Sequence, residues 1–141
     1  MSSIPQALQT EVALQSQNRC AYCLSQQRLM GVALTVDHII AQSVGSETTL
    51  DNLCLACWDC NLAKSDRITA VDPETETAVR LYHPLQQHWN NHFRWEGQGL
   101  YIVGVSPTGR ATVSALKLNR PQLVESRRYW IEAGWHPPKE N

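Results

Sequence analysis

The sequence predicts a small α+β protein stapled by zinc, and three observations carry that expectation. Two Cys-x-x-Cys pairs, Cys20/Cys23 and Cys57/Cys60, bracket a long spacer running from Leu24 to Ala56. Within and just after that spacer the pattern reads strand, polar loop, strand, helix. Past residue 80, β-branched and aromatic runs broken by Gly-containing turns predict a three-stranded antiparallel meander followed by a helix. With 141 residues the chain suits one core with an appendage. We place the core at residues 1–80 and the extension at 81–141.

The elements follow in order. Ser3 and Gln6 have capping-box spacing, and Ile4, Leu8 and Val12 recur at helical intervals, so a helix precedes the first knuckle. Val32 to Val36 is a short, partly β-branched strand ending at Asp37-His38, and the polar stretch from Ala41 to Asp51, with Gly45, is a loop. Leu53-Cys54-Leu55 is a second strand. Asp59 to Asp66 lacks Gly and Pro and suits a helix. Residues 67–80 have no clear period and read as a connector. Phe93 to Trp95, Leu100 to Val103 and Ala111 to Val113 are the three strands of the meander, separated by Glu96-Gly97-Gln98-Gly99 and Ser106-Pro107-Thr108-Gly109. Asn119 then caps a last helix that stops near Gly134, ahead of Pro137-Pro138.

Composition narrows the function. An apolar fraction of 43% against 18% charged residues belongs to a folded chain. No apolar run approaches the roughly 20 residues needed to span a bilayer, and the N-terminal stretch has no basic start or apolar segment, so a cytoplasmic location without membrane contact is expected. A net charge of -1 argues against coating nucleic acid by bulk electrostatics. That mean hides an asymmetry: residues 37–72 carry 2 positive and 6 negative charges, residues 100–141 carry 6 positive and 3 negative. The acidic stretch suits metal, the basic end phosphate.

Five cysteines, at 20, 23, 54, 57 and 60, are an odd number that disfavours a disulfide framework. Two Cys-x-x-Cys turns can each point both thiolates at one tetrahedral zinc. Cys54 could pair with Cys57 at the same spacing. Its place in the apolar strand Leu53-Cys54-Leu55 favours a small hydrophobe instead, leaving Cys20, Cys23, Cys57 and Cys60 as ligands.

Asp37 and His38 at a strand end, Asn52 at the far end of the loop and Asn61 on the following helix form a polar set held at both ends by the knuckles. Alone, a histidine at a strand end is usually an exposed or hydrogen-bonded imidazole. Through CAYC, TVDHIIAQSVG and DNLCLACWDCNLAKSD, in this order and spacing over about residues 19–67, the sequence resembles the HNH endonucleases. The resemblance implies a ββα-metal core, His38 as general base, Asp37 and Asn61 as ligands of one catalytic divalent ion, and Asn52 as the brace that orients His38. With Asn at the last motif position the ligands are oxygens, which turns the expected ion toward magnesium or manganese, beside the structural zinc. It also implies DNA as partner and products with 5′-phosphate and 3′-hydroxyl ends. Lys64, at the family's lysine position, and Arg67 are candidate phosphate contacts. The segment RWEGQGLYIVGVSPTGRATVSALKLNRPQLVESRR resembles an extension that follows this motif in bacterial, notably cyanobacterial, HNH proteins.

The chemistry fits those residue types. Histidine titrates near neutrality and can take a proton from water. A divalent ion with few protein ligands keeps positions open for phosphate. Two other readings stay open: a zinc-dependent nucleic-acid-binding module without catalysis, and a nuclease acting on RNA or structured DNA. Trp89, Phe93, Trp95, Tyr129, Trp130 and Trp135 are expected to fill a core more than to stack on bases. Arg110, Lys117, Arg120, Arg127 and Arg128 either track a DNA backbone or keep a face soluble.

Overall fold

The computed structural model describes residues 4–139. The chain divides into two compact units, one running to Arg67 and joined by His83–Gln86, the other comprising Ile68–Tyr82 and the chain from Gln87 onward.

The first unit opens with helix α1 (Gln6–Gln15). Ser3, expected to cap it, lies outside the described residues; Pro5 occupies the capping position. The first knuckle follows, then a single helical turn, α2 (Gln27–Met30). Strands β1 (Thr35–His38) and β2 (Leu53–Ala56) pair antiparallel, with Asp37 opposite Cys54 and His38 opposite Leu53. Helix α3 (Trp58–Lys64) comes directly after, giving the expected order of hairpin then helix. β2 is buried along its whole length, and α1 packs across it with Val12 fully inaccessible. Burying both faces explains why Leu53, Cys54, Leu55 and Ala56 are all apolar, where a half-exposed strand would alternate. The amide of Ala21 donates to the Leu55 carbonyl at 2.8 Å, which fastens the first knuckle to this strand.

The second unit differs from the sequence expectation in three places. Residues 67–80 are no plain connector: β3 (Thr69–Val71) and β4 (Ala78–Arg80) form a hairpin. Its turn is organised by Asp72, which accepts from the Glu74 amide, the Thr75 hydroxyl and both prongs of the Arg110 guanidinium. The short turn α4 (Trp89–His92) leads into β5 (Phe93–Glu96), which pairs with β6 (Tyr101–Gly104).

The third strand of the meander does not form. Ala111, Thr112 and Val113 lie inside helix α5 (Pro107–Leu116). The Ser106 hydroxyl accepts from the Gly109 amide at 2.9 Å and Pro107 takes the first helical position, so Ser-Pro-x-Gly is a helix start and not a β-turn. Gly109 is required there because a Cβ would collide with the His92 carbonyl. Helix α6 (Pro121–Glu132) is present, but Asn119 does not cap it. Arg120 stands at that position, and the Asn119 side chain instead brackets Ile102, accepting from its amide at 2.8 Å and donating to its carbonyl at 2.7 Å.

Of the aromatics expected in a core, Phe93 and Trp130 are buried while Tyr129 and Trp135 are exposed. Two of the basic residues face inward: Arg110 pairs with inaccessible Asp72, and buried Arg127 donates to the Leu100 and Leu118 carbonyls. No helix among the described residues is long and apolar enough to cross a membrane.

Candidate active site

Cys20, Cys23, Cys57 and Cys60 converge with all four sulfurs within 4.8 Å of one another, and all four are buried. Four sulfurs placed tetrahedrally about 2.3 Å from a zinc would stand about 3.8 Å apart. The Cys23 and Cys57 sulfurs are 3.8 Å apart. The residues therefore fit one zinc ion, and they are the only such group of His, Cys, Asp and Glu among the described residues. Cys54 is outside it. Its sulfur lies 3.9 Å from the Tyr22 hydroxyl, and burial pushes its thiol up to about 12, which keeps it protonated. Because Cys57 precedes α3 and Cys60 lies in its first turn, this cluster also anchors the helix that carries Asn61.

Beside the cluster, β1 delivers Asp37 and His38 at its end. Asp37 Oδ2 is buried without a hydrogen-bond partner among the described residues. Burial pushes the Asp37 carboxyl above its ordinary range, while the charges of Lys64 and His38 pull it back. A buried carboxylate oxygen with nothing to accept from is costly unless a cation meets it. Asn61 donates through Nδ2 to the Thr35 hydroxyl at 3.4 Å. Thr35 and Asp37 are two apart on β1 and so share a strand face. Asn61 thus leans on the side of the strand that carries Asp37.

Asn52 is 7% exposed and spends its side chain on the intervening loop. Oδ1 accepts from the Ile40 amide, and Nδ2 donates to the carbonyls of Ile40 and Glu47, each at 2.9 Å. Its own carbonyl accepts from the Ile39 amide at 2.8 Å. The loop is closed on itself by one residue.

His38 Nε2 lies 2.7 Å from the Thr48 hydroxyl, a partner the sequence reading did not single out. A threonine inside the run Ser46-Glu47-Thr48-Thr49 carries no signal of its own. Lys64, a candidate phosphate contact from the sequence, is only 2% exposed, and its ammonium donates to the His38 carbonyl at 3.3 Å. Arg67 is exposed and donates to the Ala63 carbonyl at 2.8 Å. His92 is held by Ser106 at 2.7 Å, as befits a packing histidine.

Residues 20–67 match the family model of the HNH endonucleases. The chain is also similar to the Septu protein PtuA of Bacillus mycoides (strain KBAB4), at 27% identity over 135 residues that take in 77% of this chain. The chain spans only 18% of that relative's length. No solved structure matches it significantly.

Proposed function

We propose, from the premise that residues 20–67 are an HNH endonuclease domain, that the chain hydrolyses phosphodiester bonds in DNA with His38 as general base. One divalent ion, magnesium or manganese, is held by Asp37 and Asn61. The observation that carries this reading is the buried, unpartnered Oδ2 of Asp37 on the strand face against which Asn61 leans. Tying Nδ2 of Asn61 to Thr35 leaves its carbonyl oxygen as the donor atom for a hard cation. When bound, the ion supplies positive charge to phosphate and leaving oxygen as negative charge develops there.

The remaining work belongs to the protein's own side chains. His38 takes the proton from the attacking water, a role worth roughly 10²- to 10⁴-fold in rate. Asn52 closes the loop that faces it, and Lys64 fixes the His38 backbone through its carbonyl. Buried charge and a closed loop are the kind of support that holds a general base in place. Nothing in this set reads bases, so the reading carries no sequence preference. Thiolates for zinc and a reduced Cys54 suit the reducing cytoplasm.

The test is incubation of zinc-loaded protein with supercoiled plasmid, with and without magnesium or manganese. Metal-dependent conversion to nicked or linear forms is expected. A folded, zinc-replete protein that retards the plasmid in a gel yet never cuts it would sink the proposal in favour of a binding module. Cutting confined to RNA would move the substrate class.

A further inference from the structure

We propose that Thr48 is a positioning residue that fixes which nitrogen of His38 accepts the proton, an inference that rests on the hydrolytic reading of the same site. The Thr48 hydroxyl lies 2.7 Å from His38 Nε2, and Gln42 Nε2 donates to that same hydroxyl at 3.1 Å. Asn52 holds the carbonyl of Glu47, the residue immediately before Thr48, and grips both polar groups of Ile40. The brace therefore delivers a hydroxyl to the imidazole in a set position.

A hydroxyl oxygen can accept two hydrogen bonds. With Gln42 donating into one lone pair, the other is open to the Nε2 proton of His38, and in that arrangement Thr48 holds the tautomer protonated at Nε2. The lone pair on Nδ1 is then the basic position of the ring. The proton of the attacking water passes to Nδ1 while its oxygen bonds to phosphorus. The phosphorus bond to the leaving oxygen breaks, and that oxygen takes a proton from solvent. Without the Thr48 hydroxyl the ring spreads over two tautomers and several ring orientations. The loss falls on turnover and spares substrate binding, because Thr48 acts through His38 alone.

Two substitutions separate this role from packing. Thr48→Val keeps the shape and removes the hydroxyl; Thr48→Ser keeps the hydroxyl. The side-chain nitrogens of His38 are read by long-range ¹⁵N–¹H NMR at alkaline pH on the zinc-loaded full chain, assigned by their absence in His38→Ala. Wild type and Thr48→Ser should show the Nε2-protonated ring, and Thr48→Val a mixture. In steady-state plasmid cleavage, Thr48→Val should lose at least about 10-fold in kcat at unchanged KM, with Thr48→Ser largely restoring it. A wild-type ring protonated at Nδ1 would mean that the hydroxyl donates instead, and would overturn the proposal. An unchanged tautomer in Thr48→Val, or cleavage by that variant at the wild-type rate, also overturns it. Should wild type cut nothing at all, the hydrolytic reading fails by itself, and the tautomer measurement alone decides the role of Thr48.

Discussion

Asp37 and Cys54 face each other across the β1–β2 hairpin, and their environments show how single side chains divide the labour of this core. Cys54 is buried and stays a thiol; the four other cysteines meet at one point and suit a metal. Cys20→Ala should therefore abolish zinc binding and unfold the first unit, since a structural zinc is worth about 10 kcal/mol in apparent terms. Cys54→Ala should keep one zinc per chain and cost about 1 kcal/mol. Zinc content and Tm check both. The four-cysteine knuckles were legible from their spacing, whereas Asp37, His38, Asn52 and Asn61 were singled out through the family resemblance, and their roles are those proposed above. Thr48 and the burial of Lys64 were not legible, because a loop threonine and a helical lysine carry no pattern. Their contacts arise from what the fold brings against them.

Elements repeat the lesson. The β1–β2–α3 order was readable from two short apolar runs and a break-free segment between fixed cysteines. The hairpin β3–β4 was not, because its turn depends on a partner 38 positions away, Arg110, which no local window contains. The misread third strand came from a segment whose turn signal and helix-start signal are the same four residues, and burial of Ala111, Thr112 and Leu116 decides for the helix. Arg110 holds the Asp72 carboxyl well below the usual carboxylate range. A carboxyl whose folded value is depressed contributes stability above its unfolded value of about 3.9, and that contribution fades as pH falls toward the folded value. The second unit should accordingly lose Tm in acid below about pH 4. Asp72→Asn should lower Tm at neutral pH and flatten that acid dependence; a variant as stable and as acid-sensitive as wild type would contradict the assignment. Thermal melts across pH, followed by tryptophan fluorescence, make the comparison.

At the scale of the whole molecule, the family match covers residues 20–67, within the first compact unit, whereas the second unit carries the β3–β4 hairpin and the chain from Gln87 onward. The chemistry argued above uses only residues between Cys20 and Lys64, so its central claim can be tested at one atom group. The most direct measurement is single-turnover cleavage of plasmid DNA by wild type and His38→Ala in magnesium, with zinc content and circular dichroism matched beforehand. A fall of roughly 10²- to 10⁴-fold in rate at unchanged fold and zinc content is the result expected of a lost general base. A His38→Ala protein that cleaves as fast as wild type would contradict the account.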